Sequence, residues 1–420
     1  MKKKAIKEKV MTTVAVINAL NMLSPYGMLA VDINTPGGHI QTDNHLYGTA
    51  VNLPGEMGGY VQAMLSPRVA YAEDIVELPD GDTKSVSVGS GSTHTIGTMQ
   101  NGGTQTVNEG GTGTITSMND GLQSGWGTMS IGTMHGGTQY LGVGGDGTIT
   151  EMSGGTQKVY GTGTIGTMYN SGMQTVYNGS GTVTTMNGGE QKLLNGAIGT
   201  VTDMNGGVQY VFTRKSGTIE NMDGGMQEVV SGTGTVTTMN SGGEQTISSG
   251  GTGTVTTMNG GSQIVFSGGN GTVSTMSGGQ QNVSSGGNGE VTTMSGGTQY
   301  VSSGATGTVG TMSGGSQTVY SKGNGTIEAM EDGTQILYGG TGTVSTMSGG
   351  KQTVSSGGYG MVSTMNGGTQ TVSASGIGKT ITMSGGTQTV STGAYGRISA
   401  MISGIQNISS GGDGLISAMS

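Results

Sequence analysis

The sequence predicts an all-β chain wound as a parallel β-helix, a β-solenoid of about nineteen 18-residue coils preceded by a short N-terminal signal helix. Three observations carry that prediction. Met recurs as a ruler at Met186, Met204, Met222, Met239, Met258, Met276, Met294, Met312, Met330, Met347, Met365, Met383, Met401 and Met419, a period of 18 that slips by one at Met239 and Met347. A fixed period near that length marks a solenoid, whose coils are stable only when stacked on one another. With 90 Gly, 2 Phe and 1 Trp in 420 residues, the chain has too few large apolar side chains for conventional globular cores. Yet only 9% of it is charged and it holds 5 Pro, unlike a disordered chain, so periodic stacking must supply the order.

Residues 1–30 read as a signal-peptide-like segment, because MKKKAIKEK precedes an apolar run from Val10 to Leu23 that is too short to span a membrane comfortably. Export through a bacterial secretory route follows. Two cleavage points remain open, near Ala30 or as late as Ala72, where Ala70-Tyr71-Ala72 fits the small-x-small rule. Residues 31–84, with Pro36, Pro54 and Pro67, read as an irregular lead-in. The solenoid occupies 85–420. Its first turns, marked by Met99, Met118, Met134, Met152 and Met168, are spaced less evenly than the rest.

Each unit reads GTVTTM-xGG-xQxV-xSGG, two β-type runs separated by glycines. Glycine pairs at the corners supply backbone with positive φ, and Asn187, Asn205, Asn259 and Asn366 beside them are expected to share that task. Gln is a second ruler, nearly always five residues after Met, through Gln227, Gln245, Gln263, Gln281, Gln299, Gln317, Gln335, Gln352, Gln370 and Gln388. In stacked coils such residues form a structural ladder about 4.8 Å per step, each amide donating to the next. Val or Ile two residues after each Gln shares its face. The other run carries Val three residues before Met, an odd spacing that a straight strand cannot point inward at both positions, so the Met is expected at a corner closing a thin core. Nineteen coils at about 4.8 Å give a rod on the order of 90 Å.

The chemistry this excludes is equally specific. Net charge is −9, from 15 Lys+Arg against 24 Asp+Glu, with much of the positive charge in the signal segment, so no basic face is left for nucleic acid. The lack of Cys removes disulfides and thiolate metal sites. A calcium β-roll needs Asp where this repeat has Val or Ile, as in Gly251-Thr252-Gly253-Thr254-Val255, so no metal and no cofactor is expected. His39, His45, His94 and His135 lie in the first third, and Glu190, Asp203, Glu220, Asp223, Glu228 and Glu244 occupy different repeat positions, so no residue is assigned as catalytic. The surface that does repeat is hydroxylic, with Ser pairs Ser248-Ser249, Ser284-Ser285, Ser302-Ser303, Ser355-Ser356 and Ser409-Ser410 before the corners. Tyr140, Tyr210 and Tyr300 follow Gln, while Tyr160, Tyr177, Tyr320 and Tyr338 follow Val, giving two partial aromatic rows.

The runs Ser-Gly-Gly-x-Gln-x-Val-x-Ser-Gly-Gly and Gly-Thr-Val-x-Thr-Met-Asn-Gly-Gly, most closely over Ser241 to Gly261 and Gly278 to Gly297, resemble the stalk repeats of AIDA-type autotransporter adhesin passengers. The likeness covers residues 100–420. It implies a secreted, outer-membrane-associated β-helix at the bacterial cell surface that acts in adhesion or auto-aggregation toward host-cell or matrix ligands or sister chains. It also implies O-glycosylation by a dedicated glycosyltransferase, with Ser248, Ser249, Ser284, Ser285, Ser302, Ser303, Ser355, Ser356, Ser409 and Ser410 as acceptors. The recurrent Met departs from the family unit, and Met419-Ser420 falls in mid-repeat with no β-barrel strands after it, so the expectation is a truncated chain or a separately supplied translocator. Two other readings stand beside this one: a carbohydrate-active β-helix enzyme, which needs acids meeting in one groove, and an ice- or mineral-binding face built from Thr pairs such as Thr233/Thr235.

Overall fold

The computed structural model describes residues 30–31, 40–41, 85–212 and 214–420, and the chain divides into units Met1–Ala70 and Tyr71–Ser420. The expected signal helix and the late cleavage point fall outside the described residues. In the first unit, Ala30–Val31 and Ile40–Gln41 pair antiparallel. The second unit is a parallel β-solenoid, and no helix occurs among the described residues.

One coil shows how the unit works. Thr252–Met258 forms a seven-residue long strand, residues 259–261 turn a first corner, Ser262–Val265 forms a four-residue short strand, and residues 266–269 turn a second. Each strand pairs in parallel with its counterparts one coil away, Val255 against Val273 and Gln263 against Gln281, so like residues stack upon like. From Met99 to Met419 this repeats through about eighteen turns.

The odd spacing of Val and Met is resolved inside the long strand. Its fifth residue is skipped in the pairing of coil to coil, as at Thr256 between Val255↔Val273 and Thr257↔Thr275. Two consecutive residues therefore face outward, alternation resumes with opposite parity, and Val255 and Met258 both end up fully buried. The bend precedes the Met, and the Met methyl reaches under the next corner: Cε of Met186 lies 2.9 Å from where a Cβ on Gly207 would stand. The Val and Met ladders merge in one core cluster running from Ile96 to Met401.

The corners depend on left-handed backbone, with φ of 76° at Gly261 and 74° at Gly268. Asn101 and Asn195 share that conformation, with φ of 53° and 51°, but Asn187, Asn205, Asn259 and Asn366 do not. Asn205 Nδ2 donates to Asn187 Oδ1 at 2.9 Å and Asn259 Nδ2 to Asn240 Oδ1 at 3.1 Å, forming an outer amide ladder along the first corner.

The second residue of the long strand is Gly in almost every coil because the core has no room: a Cβ on Gly271 would lie 2.4 Å from Val265 Cγ2. One early coil departs from this by exchanging volumes. There the short strand Leu122–Gly125 ends in Gly instead of Val, and Met129 replaces the long-strand Gly and is buried in the Val cluster. Met129→Ala is expected to lower stability by about 2–5 kcal/mol in thermal unfolding, since no neighbouring side chain can fill the void. A loss below that range would mean that Met129 does not replace the missing Val.

Candidate functional site

The Gln ladder forms the polar spine of the solenoid. Every member from Gln105 to Gln388 is fully buried. Each Nε2 donates to the Oε1 of the previous coil, for example Gln263 to Gln245 and Gln281 to Gln263, both at 2.7 Å. The same amides reach carbonyls of the facing long strand, Gln281 to Gly271 at 3.2 Å and to Glu290 at 3.1 Å, so a buried polar row is satisfied throughout. All its donors point toward the N-terminus, which leaves Gln105 in need of an acceptor. His94 supplies it: Gln105 Nε2 lies 3.1 Å from His94 Nδ1 and donates to the His94 carbonyl at 3.2 Å. With Nδ1 accepting, the imidazole proton sits on Nε2. His94 is thus the buried cap of the ladder, a role that its place in the sequence does not disclose, because it occupies the otherwise glycine position of the first long strand.

Solvent sees the hydroxyls of the second corner. In the Ser pairs, Ser249, Ser285, Ser303, Ser356 and Ser410 are exposed, whereas Ser248, Ser284, Ser302 and Ser355, each directly after the buried aliphatic residue of the short strand, are half-buried; Ser409 is exposed. The exposed row is therefore defined by its distance from the buried Val. Counted that way, it includes Ser267 and Ser321, which belong to no Ser pair in the sequence, and runs through Ser249, Ser267, Ser285, Ser303 and Ser321 on five successive coils, with the half-buried Ser231 one coil before it. The signal was available: each is the second residue after the Val or Ile that follows Gln. The corner backbones also bond one another, Gly250 N to Gly268 O at 2.9 Å and Gly268 N to Gly286 O at 2.9 Å, so the hydroxyls are held at the coil spacing.

A second hydroxyl row lies on the long strand, where Thr148, Thr164, Thr182, Thr200, Thr218, Thr235, Thr254 and Thr272 stack without interruption. The neighbouring row that would complete Thr pairs is broken by Ile198, Asn270 and Asn288.

The acids do not converge. Asp203 accepts from Asn221 at 2.9 Å on the long strand, Asp223 from Asn240 at 2.6 Å on the first corner, and Glu190 pairs with Lys192 on the short strand. A shallow groove beside the first corner is lined by Glu244, Ser262, Gln280 and Thr298 and offers a single carboxylate. His94 bonds the ladder and His135 bonds Ser153 Oγ at 2.8 Å, so the two described histidines serve separate coils. Among the described residues no group of three or more His, Cys, Asp or Glu is placed to hold a metal ion.

No protein-family model matches this chain, and no curated protein matches it. Among solved structures the chain is similar to one titled as a TibC-catalyzed hyper-glycosylated TibA fragment, at 23% identity over 83% of this chain and 98% of that one, with a TM-score of 0.23.

The aromatic residues are brought together more than their spacing suggests. Tyr160 and Tyr177 stack with centroids 4.6 Å apart and planes 5° from parallel, Tyr140 approaches Tyr160 at 5.5 Å, and Tyr210 lies 6.1 Å from Phe212. Lys192 sits 5.6 Å above the Tyr210 ring. Burial, and then the neighbouring Tyr177, push the Tyr160 phenol above its ordinary value. Tyr140 and Tyr160 meet although one follows Gln and the other Val, because residues on either side of the buried aliphatic residue share the outer face of the short strand; Tyr320 and Tyr338 stack separately, with centroids 6.2 Å apart.

Proposed function

We propose that this chain is the repetitive stalk of a bacterial surface adhesin, of the autotransporter-passenger type, which projects from the outer membrane and acts in adhesion or auto-aggregation. The observation that carries the proposal is the register: about eighteen turns stack in parallel with like residues upon like through most of the array, and a solenoid of that kind is a rigid spacer that repeats its surface along its length. The resemblance of the repeat unit to AIDA-type stalks supports display at the cell surface. It also supports a translocator supplied by another chain or by a further segment, and a glycosyltransferase as partner.

The acceptors for O-glycosylation are the exposed hydroxyls of the second corner, led by Ser249, Ser285 and Ser303 and extending to Ser267 and Ser321. A transferase that binds the edge of the solenoid meets the same hydroxyl once per coil, about 4.8 Å apart. The half-buried Ser248, Ser284, Ser302 and Ser355 are poorer acceptors because less of each side chain is open to a transferase.

Intact mass of the protein recovered from the surface of its native host tests this. The expected result is a ladder of added heptose or hexose masses, shortened by the combined change of Ser249, Ser267, Ser285 and Ser303 to Ala and unchanged by Ser248→Ala with Ser284→Ala. A mass equal to the bare chain would remove glycosylation. Absence of the chain from the cell surface would remove the display function itself.

A further inference from the structure

Long strands turn their first, third and fifth residues outward. From Thr93–Met99 to Thr341–Met347 the third residue is Thr or Ser, Glu290 apart, and the first is Thr, Ser, Asn or Asp, Ile198 apart. The four long strands that follow break this pattern. Their first position carries Tyr359, Ile377, Tyr395 and Asp413, and their third Met361, Lys379, Arg397 and Leu415, each paired in register with the next. Ile381 stands at a fifth position that is Ser in the coils on either side. Tyr359, Ile377, Ile381 and Leu415 are exposed, while the core rows beneath continue through Val362, Met365, Met383 and Ile398. The fold therefore does not require these outward residues, and an exposed apolar cluster of this kind has the composition of an interaction surface.

Two cations stand at its centre. Lys379, half-buried, is set directly against the exposed Arg397, about 4.8 Å away along the axis. Like charges paired in this way repel. No other two cations are paired in register among the described strands. Neither has a carboxylate within ion-pair distance among the described residues, and Asp413, the acid of this face, is aligned with Tyr395. An anionic oxygen group placed between the two side chains turns the repulsion into attraction, and the guanidinium fork of Arg397 matches phosphate.

We infer that this face docks on an anionic lipid surface, with a headgroup phosphate held between Lys379 and Arg397. Hydrocarbon surrounds the cations: Ile377 and Ile381 flank Lys379 along the strand, and Met361 and Leu415 close the column at its two ends. A saccharide site needs hydrogen-bonding groups beside its charges, and here the neighbours are aliphatic. A lipid surface suits both parts of the cluster, because Tyr and Ile settle at the headgroup boundary while Lys and Arg ends reach the phosphates. Four coils at about 4.8 Å extend the contact only about 15 Å along the axis, so docking is weak and falls as salt is added. It rests neither on glycosylation nor on adhesion: an unmodified chain has the same face.

The chain has no Cys, so Ser399→Cys places a single environment-sensitive dye on this face and Ser285→Cys places one on the second corner as a reference. The label reports the face itself, whatever the apolar run from Val10 to Leu23 does. Vesicles of phosphatidylglycerol and phosphatidylcholine in equal parts, or of phosphatidylcholine alone, are titrated into the full chain. A blue shift is expected at position 399 with the anionic vesicles only, and none at 285. Lys379→Glu with Arg397→Glu should raise the lipid concentration for half the shift by about thirtyfold or more. Ile377→Ser with Ile381→Ser should raise it about tenfold. Lys322→Glu with Lys351→Glu, which changes the net charge equally at other sites, should leave it in place. Far-UV circular dichroism checks folding, and Lys379→Gln with Arg397→Gln serves if the charge reversal does not fold. No shift with anionic vesicles would overturn the inference, as would an equal shift with phosphatidylcholine or equal weakening by the Lys322 and Lys351 pair. A shift produced by soluble polygalacturonate and not by vesicles would assign the cations to an acidic polysaccharide instead.

Discussion

Gln263→Glu is expected to make the solenoid more stable at pH 4 than at pH 7, the reverse of an ordinary acidic surface substitution. Gln263 is fully buried, donating to Gln245 Oε1 at 2.7 Å and to the carbonyls of Gly253 and Thr272, and accepting from Gln281 at 2.7 Å. A carboxylate in its place still accepts from Gln281, but it turns an oxygen toward three acceptors and loses its hydration. Protonated, the acid regains one donor and can bond Gln245. The folded-state pKa is therefore raised above the unfolded value of about 4.3. Stability is fully present below that value and is lost as pH rises through the folded pKa. At neutral pH the loss is about 3–5 kcal/mol, as for other uncompensated buried charges. Gln263→Leu leaves two amide groups short of a partner at about 1–3 kcal/mol each, independent of pH. Urea unfolding at both pH values separates the cases, and equal stability of Gln263→Glu at pH 4 and 7 would remove the ladder from its structural role. Because coils touch only their neighbours, the weak step should also divide unfolding into two transitions.

Gly271→Ala should be almost as damaging, although it adds one methyl group. The new Cβ would lie 2.4 Å from Val265 Cγ2 and 2.9 Å from Gln263 Oε1. Val265 is fully buried and, being β-branched, has little rotamer freedom to yield. Overpacking of this kind costs about 1–3 kcal/mol. Val265→Ala in the same chain should recover part of that cost, a coupling of about 0.5–3 kcal/mol, because the early coil with Gly125 and Met129 already shows that the two positions share one volume. Thermal unfolding of the single and double variants measures the coupling. Additive effects would mean that the two side chains do not compete for space.

Much of this was legible from spacing. A Gln every 18 residues has few physical explanations other than a ladder, and the ladder is present from Gln105 to Gln406. Which hydroxyl meets solvent was harder, because adjacent serines look equivalent in sequence while Ser248, Ser284, Ser302 and Ser355 are half-buried and Ser249, Ser285, Ser303 and Ser356 are exposed. Asn187, Asn205 and Asn259 beside the corner glycines were expected to share left-handed backbone, but they carry side-chain amide bonds instead, and Asn101 and Asn195 are the Asn with positive φ. The part played by His94 was not legible because its partner, Gln105, stands across the coil on the facing short strand, 11 residues on.

By itself the sequence determined the period, the alternation of each strand, the glycine corners and the stacking of like residues, since these follow from the chemistry of one unit repeated. Tertiary structure alone decided how Val and Met both reach the core, through a residue skipped in the long strand, and which hydroxyl of each pair meets solvent. It also brought Tyr140, Tyr160 and Tyr177, and Lys192, Tyr210 and Phe212, into contact across successive coils. The physical reason is that a repeat fixes what lies above and below each residue, whereas its neighbour across the coil depends on where the backbone bends.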